Sequence, residues 1–373
     1  MTRSANEGRG YESPIVQTAR NLEKVAATMT DWLSSRYDER NLRVASVELP
    51  TTSGVANETL LLRTTSAGSP SFVVRLATDR PLFANRHIYT QYFMCQTLAA
   101  EQTVPVPTPV AYEDDPEILG APFYVTEFVE GVVPSDRPHF SEAGFVHDAS
   151  PSDRRRLWEN AVDALAMLHR VRSGRFDFLA GPDRDVSGLE AEMAYWRGYA
   201  DALEVGPSWN HDMLEHGWTW LTANLPEPAP TALSWGDARI GNMIFRDFDV
   251  VALLDWDTVS LAGPEADLAW WIQMDRHSWE LLPGLGTPDE LVDRWEASTG
   301  QMAVNLHWYL VFTALRLGLT RMKLRRMMVA DGVLPPPQAL PGAINESIQL
   351  LALWLDVTPP EASEVRKPRV RDL

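Results

Sequence analysis

The sequence predicts an α+β protein of two lobes: a small antiparallel sheet of five strands with one helix, then a large, mainly helical lobe. Short apolar or alternating stretches fill the first 130 residues, and after Glu130 and Gly131 the apolar positions recur at helical spacing. A chain of 373 residues and 41.8 kDa is long enough to bury two cores. The third observation is the segment SWGDARIGNMIFRDFDVVALLDWDTVSLAGPEAD, residues 234–267, which sets a hairpin inside helical territory and concentrates the chain's chemistry.

Residues 14–36 place Val16, Ala19, Leu22, Val25, Ala26, Met29 and Leu33 at helical spacing, so they read as one amphipathic helix within an N-terminal extension of residues 1–39. The N-lobe, residues 40–130, opens with LRVASVEL, ETLLLRT and SFVVRLA, three strands of a meander separated by residues 51–57 and by SAGSP. Helical periodicity returns over residues 84–101, and PTPVAYED and PFYVTEFVEG supply two more strands. The C-lobe, residues 131–357, carries helical patterns at about 151–172, 186–205, 209–223, 263–275, 287–299, 303–330 and 338–355. NMIFRD and DVVALLD form its hairpin, turning at Asp247 to Asp249. The tail, residues 358–373, combines Pro and charge with few apolar residues and is expected to be disordered.

Composition excludes several classes. With 51 acidic against 33 basic residues and a net charge of −18, the surface does not suit nucleic acid, which needs clustered Lys and Arg; it leaves room for a cationic substrate. The single cysteine, Cys95, rules out an intrachain disulfide and sits in the apolar stretch YFMCQTLAA as a structural thiol. No apolar run approaches the roughly 20 residues a membrane span needs, and the N-terminal MTRSANEGRGYESP has no apolar leader core. These readings lead to the expectation of a soluble cytoplasmic protein, monomeric or a weak homodimer. Fourteen Trp, most of them after residue 190, serve either core packing or an aromatic-lined pocket.

The hairpin segment places an Asp, an Asn five residues later and a second Asp thirteen residues after that. Phosphoryl transfer needs in-line positioning and neutralisation of phosphate charge, and this spacing supplies both. Asp237, after Gly236 at the end of a short strand, is a candidate base for a hydroxyl proton. Asn242 and Asp255 offer hard oxygen ligands to Mg²⁺, which typically takes few protein oxygens besides phosphates and water. Asp257 either assists the metal or braces the loop. Arg239 is placed where a cation meets the transferred phosphate. In the N-lobe, SGVANET (53–59) connects two strands, and its Ser53, Gly54, Asn57 and Thr59 are candidates to lie over nucleotide phosphates. Arg75 is a charge in an apolar strand that needs a partner such as ATP phosphate. FYVTEFVEG ends at the lobe boundary, where the Thr126 carbonyl and the Phe128 amide are assigned to adenine. Asp267, at a helix start, reads as architectural.

Together these motifs resemble the aminoglycoside phosphotransferase and choline kinase superfamily, small-molecule relatives of the protein kinases. The resemblance rests on WGDARIGN (235–242), LLDWD (253–257), AGPEAD (262–267), LAMLH (165–169), SGVANET, VPVPTPVAYEDD and FYVTEFVEG, and covers roughly residues 40–330. The branch it most resembles includes kinase-like domains fused to acyl-CoA dehydrogenases. The resemblance implies a protein-kinase-like bilobal fold and transfer of the γ-phosphate of ATP, with Mg²⁺, to a hydroxyl of a small molecule; antibiotic inactivation is among the roles it covers. It makes Asp237 the base, Asn242 and Asp255 the Mg²⁺ ligands, and Arg75 the residue on the α and β phosphates. Three positions depart from the family pattern. Trp235 stands where His is common, which leaves ring packing to replace that His. Arg75 stands where many relatives have Lys. Residues 60–100 contain no Glu, so Gln91 aligns with the helix Glu that would pair with the cation.

Two other classes compete. VVALLDWDTV fits the strand and DxDxT signature of haloacid-dehalogenase phosphatases, with Asp255 as nucleophile and Asp257 as acid/base. That fold expects the motif near its start and a catalytic Lys after it, whereas here about 116 residues follow, with Lys323 and Lys367 their only lysines. A non-catalytic nucleotide-binding scaffold is suggested by Arg75 and Gln91. The acceptor side falls to residues 185–225 and 268–300, which mix acids with Trp196, Trp209, Trp218, Trp220, Trp270 and Trp271 and leave the substrate open between a cationic and an apolar alcohol.

Overall fold

The computed structural model describes residues 20–36, 42–50, 57–65, 71–180, 185–276, 278–334, 345–359, 365–368 and 370. Its first helix, α1 (Leu22–Ser34), starts at Asn21, whose side chain accepts the Lys24 amide as an N-cap. Of the helix expected over residues 14–36, the described residues show Leu22–Ser34; residues 14–19 lie outside them. The strands β1 (Val44–Glu48), β2 (Glu58–Thr64), β3 (Phe72–Leu76), β4 (Pro109–Glu113) and β5 (Phe123–Glu127) form one antiparallel sheet in the order β1-β2-β3-β5-β4. Strand alternation sends Leu60, Leu62, Phe72, Val74, Leu76, Phe123 and Val125 into a core with Val25, Met29, Trp32 and Leu33 of α1. The other face carries the cross-strand row Thr59, Arg75 and Tyr124, set by the registers Thr59 with Arg75 and Arg75 with Tyr124.

Helix α2 (Ile88–Glu101) lies between β3 and β4 in the chain, and its Met94, Cys95 and Leu98 belong to the large core of the helical lobe rather than to the core of the sheet. One element of the small lobe is thus packed onto the other lobe. Burial pushes the Cys95 thiol up to about 12, so it stays protonated and unreactive there. After the short α3 (Pro116–Leu119) and β5, the chain crosses between lobes at Gly131, whose φ is +153°. A Cβ there would lie 2.4 Å from Ile244 Cγ2 and 2.6 Å from the Phe245 carbonyl oxygen. The crossing is pinned by Val132 and Phe245, which exchange backbone hydrogen bonds of 2.8 and 2.9 Å.

The second lobe is built from α4 (Phe145–Asp148), α5 (Pro151–His169), α6 (Gly188–Leu203), α7 (Trp209–Ala223), α8 (Glu265–Met274), α9 (Ser278–Leu281), α10 (Pro288–Thr299), α11 (Leu306–Ala330) and α12 (Glu346–Trp354). The short α3, α4 and α9 and the 3₁₀ segment Ser173–Leu179 are additions to the sequence reading, too brief to show a period. In α11 the run Trp308 to Leu319 is buried on every side, the pattern of a central helix, and α8 and α12 pack on it. The strands β6 (Met243–Arg246) and β7 (Asp249–Leu253) pair as a hairpin whose turn residues, Asp247 and Phe248, both have positive φ. Among the described residues no helix is long and apolar enough to cross a membrane.

Gly131→Ala is expected to lower stability by on the order of 2–4 kcal/mol, since it adds a strained φ to a backbone clash. Chemical denaturation measures this, and a loss under about 0.5 kcal/mol would show that the crossing can relax.

Candidate active site

The loop that carries Asp237 is held from beneath by one carboxylate. Asp267 has no solvent exposure. Its Oδ1 accepts the Gly236 amide at 2.7 Å and the Ser234 hydroxyl at 3.0 Å, and its Oδ2 accepts the Trp235 amide at 2.6 Å and His169 Nε2 at 2.8 Å. His169 Nδ1 accepts the Trp295 indole N–H at 2.9 Å. An indole nitrogen only donates, so the imidazole hydrogen sits on Nε2 and points to Asp267. Gly236 is required at its position: its φ is +92°, and a Cβ would lie 2.1 Å from the Thr258 carbonyl oxygen.

The hairpin explains the thirteen residues between Asn242 and Asp255. With Met243 opposite Leu253, the residues just outside the hairpin meet, and the Asn242 carbonyl accepts the Leu254 amide at 2.9 Å. Asn242 Nδ2 donates to the Asp237 carbonyl at 2.9 Å, which leaves its side-chain oxygen for a cation. Asp255 is held at φ +61° next to it. Trp235 fills the place of the common His by more than ring packing. Its indole N–H is shared by the Leu254 and Asp255 carbonyls at 3.0 and 3.1 Å, which ties the loop of Asp237 to the loop of Asp255. A neutral amide oxygen and a carboxylate, both hard donors, fit Mg²⁺ shared with phosphates. No cluster of three His, Cys, Asp or Glu that could hold a metal ion occurs among the described residues.

Asp237 Oδ1 accepts the Trp270 indole N–H at 2.5 Å and lies 3.3 Å from Arg239 Nε. Burial raises the Asp237 carboxyl above the ordinary carboxylate range. The Arg239 charge opposes the rise, the Asp255 charge adds to it, and hydrogen bonds from Asn242 and Trp270 favour the ionised form. Arg239 itself grips Asp136 with both terminal nitrogens, at 2.5 and 2.9 Å. This Arg, expected on the transferred phosphate, is therefore engaged with two carboxylates.

The N-lobe residues meet Asp257. Asn57 Nδ2 donates to its Oδ1 at 2.6 Å, Gln91 Nε2 donates to the same oxygen, and Arg75 Nη2 reaches its Oδ2 at 3.4 Å and Asp255 Oδ1 at 4.0 Å. The expected Arg75–Gln91 pairing gives way to this one because Gln91 is turned to Asp257 and accepts the Tyr124 hydroxyl at 3.2 Å. Asp257 thus braces the two lobes, and burial followed by the Asp255 charge raises its carboxyl well above the usual range. The phosphatase reading loses its free acid/base by the same contacts. Thr59 sits on β2 opposite Arg75. The Phe128 amide is not open to adenine: it donates to the Ser71 carbonyl at 2.7 Å, because pairing with the β3 strand runs on past β5. Thr126 is paired with Val73 inside the sheet. Ser53 and Gly54 lie outside the described residues, as does most of the tail expected to be disordered.

Next to the loop, Trp158, Ile240, Trp271, Trp279 and Leu291 line a narrow cleft of about 20 Å³ whose one carboxylate is Asp275. Burial pushes Asp275 up to about 7, against the pull of Arg239 and with added repulsion from Asp136. A carboxyl at about 7 in the fold and at about 3.9 in the unfolded chain is bound more tightly by protons in the fold. The contribution of Asp275 to stability therefore falls as pH rises from about 4 to about 7, then levels. Asp275→Asn, which has no charge to bury, is expected to exceed wild type by on the order of 2–4 kcal/mol at pH 8, the gap closing below about pH 4. Denaturation at both pH values checks this; an equal gap at each would remove Asp275 as its source.

Sequence reasoning missed Asp136, whose partner is 103 positions away, and Arg316. Arg316 is buried in α11, with Nη2 3.3 Å from the Gly236 carbonyl and its guanidinium 4.9 Å from the Trp270 ring centroid. His169 stood in the LAMLH motif without a role, and only its neighbours supply one.

A family model described as the phosphotransferase enzyme family matches residues 49–301. Among curated proteins, acyl-CoA dehydrogenase family member 11 of Gallus gallus is 30% identical over 227 residues, 58% of this chain and 26% of that protein. The chain therefore spans about a quarter of the length of such relatives. Among solved structures, a candidate aminoglycoside phosphotransferase from Ralstonia eutropha superposes with a TM-score of 0.66 at 20% identity, over 88% of this chain and 95% of that one. An aminoglycoside phosphotransferase solved with GDP and kanamycin gives 0.55 at 13% identity, over 82% and 95%. These likenesses show the bilobal kinase-like α+β fold.

Proposed function

We propose that this chain, which belongs to the phosphotransferase enzyme family, transfers the γ-phosphate of ATP to a hydroxyl of a small molecule. The observation that carries the reading is the hairpin closure that brings Asn242 and Asp255 beside Asp237. Asp237 receives the hydroxyl proton as the oxygen bonds to phosphorus, and its fixed place on a backbone anchored by Asp267 supplies the in-line geometry. Asn242 and Asp255 hold Mg²⁺, which when bound neutralises phosphate charge. Arg75, 3.4 to 4.0 Å from the two carboxylates of the metal loop, is within reach of phosphates placed there. Arg239 balances the charge of the base. Asn57 and Thr59 border the phosphate side of the sheet, beside the segment that holds Ser53 and Gly54. The acceptor enters from the side of α8 and α10, and the enzyme works as a cytoplasmic monomer or weak dimer.

Asp237→Ala is expected to cut transfer by at least about 10³-fold while leaving ATP affinity nearly unchanged. Asp255→Ala is expected to remove the Mg²⁺ dependence of nucleotide binding. The measurement is ATP depletion across aminoglycosides, macrolides, amino alcohols and hydroxy acids, with calorimetry of nucleotide binding. Near-normal turnover of the Asp237 variant sinks the mechanism, and ATP binding without transfer to any acceptor favours the scaffold reading.

A further inference from the structure

We infer that Trp270 is a positioning residue for the base: it fixes one oxygen of Asp237 so that the other receives the hydroxyl proton. The inference rests on the reading of Asp237 as that base. A carboxylate turns easily about its last torsion, where the preference is broad and two-fold, so an unheld Asp presents either oxygen at a range of angles. Here Oδ1 is engaged by the Trp270 indole at 2.5 Å, with Arg239 Nε 3.3 Å away. Oδ2 takes neither of these contacts and is the oxygen left for the substrate, with the Asn242 amide as a further donor beside the carboxyl.

Helix geometry explains how one element does this. Trp270 follows Asp267 by three residues on α8, so the two side chains share a helix face. Asp267 holds the backbone of the loop while Trp270 holds the side chain of the base. The indole is itself closely packed. It is 5% exposed, and the Arg316 guanidinium lies 4.9 Å from the Trp270 ring and 5.1 Å from the Trp196 ring. Trp196 is anchored in turn by donating to Glu192 at 2.8 Å. Arg316 also reaches the Gly236 carbonyl at 3.3 Å, so ring and loop share one buried cation. An indole N–H suits the task because it only donates: it orients the carboxylate and does not compete for the substrate proton.

The test uses the full-length protein with Mg²⁺, ATP and water as acceptor, reading single-turnover release of labelled phosphate, with ADP affinity by calorimetry alongside. Asp237→Asn comes first. Release that this change leaves intact overturns the base reading, and with it this inference. Where Asp237→Asn does slow release, Trp270→Phe is expected to slow it roughly 10- to 100-fold, the scale of a misplaced reacting group. ADP affinity should stay within about twofold, and the double variant should be no slower than Asp237→Asn alone, as for residues acting as one unit. A Trp270→Phe rate within about twofold of wild type, or losses that multiply in the double variant, overturns the positioning role while leaving the base in place. Benzothienylalanine at position 270 keeps the bicyclic ring and exchanges N–H for sulfur, which separates the hydrogen bond from packing. It is expected to be as slow as Trp270→Phe, and full activity with it overturns the inference.

Discussion

A carboxylate with no access to water organises the catalytic half of this molecule. The Asp267 carboxylate has lost its hydration, and such a group persists in a protein interior only when hydrogen bonds replace the water. Four donors do so: two loop amides, a hydroxyl and an imidazole. Hydrogen bonds to charged groups contribute about 1.5–3 kcal/mol each, so the arrangement is strongly favoured only when all are present together. That all-or-none character gives the loop at Asp237 one conformation. Removing a donor leaves part of the buried carboxylate without its hydrogen bond, at a cost of about 1–3 kcal/mol. The third tier, in which Trp295 sets the tautomer of His169, extends the same requirement to α5 and α10.

The link between lobes follows a similar logic with a different balance. Residues 60–100 hold no Glu to pair with Arg75. The carboxylate comes instead from Asp257 in the other lobe, which also takes the amides of Asn57 and Gln91. The position of the N-lobe cation therefore depends on how closely the lobes approach, not on α2 alone. Helix α2 is suited to this, since its apolar side already belongs to the core of the second lobe. Gln91 then serves as a relay: it accepts from Tyr124 on the sheet and donates to Asp257 below it, a pair of roles an ionised Glu could not fill.

The sequence made the architecture readable wherever a period was long enough to count. Strands β2 and β3 alternate clearly, and α5, α7 and α10 each repeat an apolar stripe with a capping residue at the start. The spacing of Asp237, Asn242 and Asp255 was legible for a related reason: a hairpin of fixed register converts a sequence interval into a contact. What stayed hidden were contacts made across long intervals by residues with ordinary local surroundings. Asp136 sits in an irregular segment, Arg316 in an apolar helix, and neither pattern says what the side chain will meet. The hydrogen bond of the Phe128 amide was misplaced because strand pairing continues a residue past the end of β5. That depends on the neighbouring strand and not on FYVTEFVEG itself.

The tryptophans unite these observations. Of the fourteen, four put an indole N–H into or beside the site: Trp235 on the carbonyls of Leu254 and Asp255, Trp270 on Asp237, Trp295 on His169 and Trp196 on Glu192. A histidine or arginine could make several of these contacts, but each brings a charge, or the option of one, into a site already crowded with carboxylates and with the buried Arg316. An indole brings a donor of fixed direction, no charge, and a large apolar body that excludes water. Burying it is favourable on area alone, whereas burying another ion is not. The choice between core packing and an aromatic-lined site, left open by the Trp count, is therefore not exclusive. The same rings fill the core with their bodies and fix polar groups with their edges, and a carboxylate so held does not depend on its neighbours' protonation for its orientation.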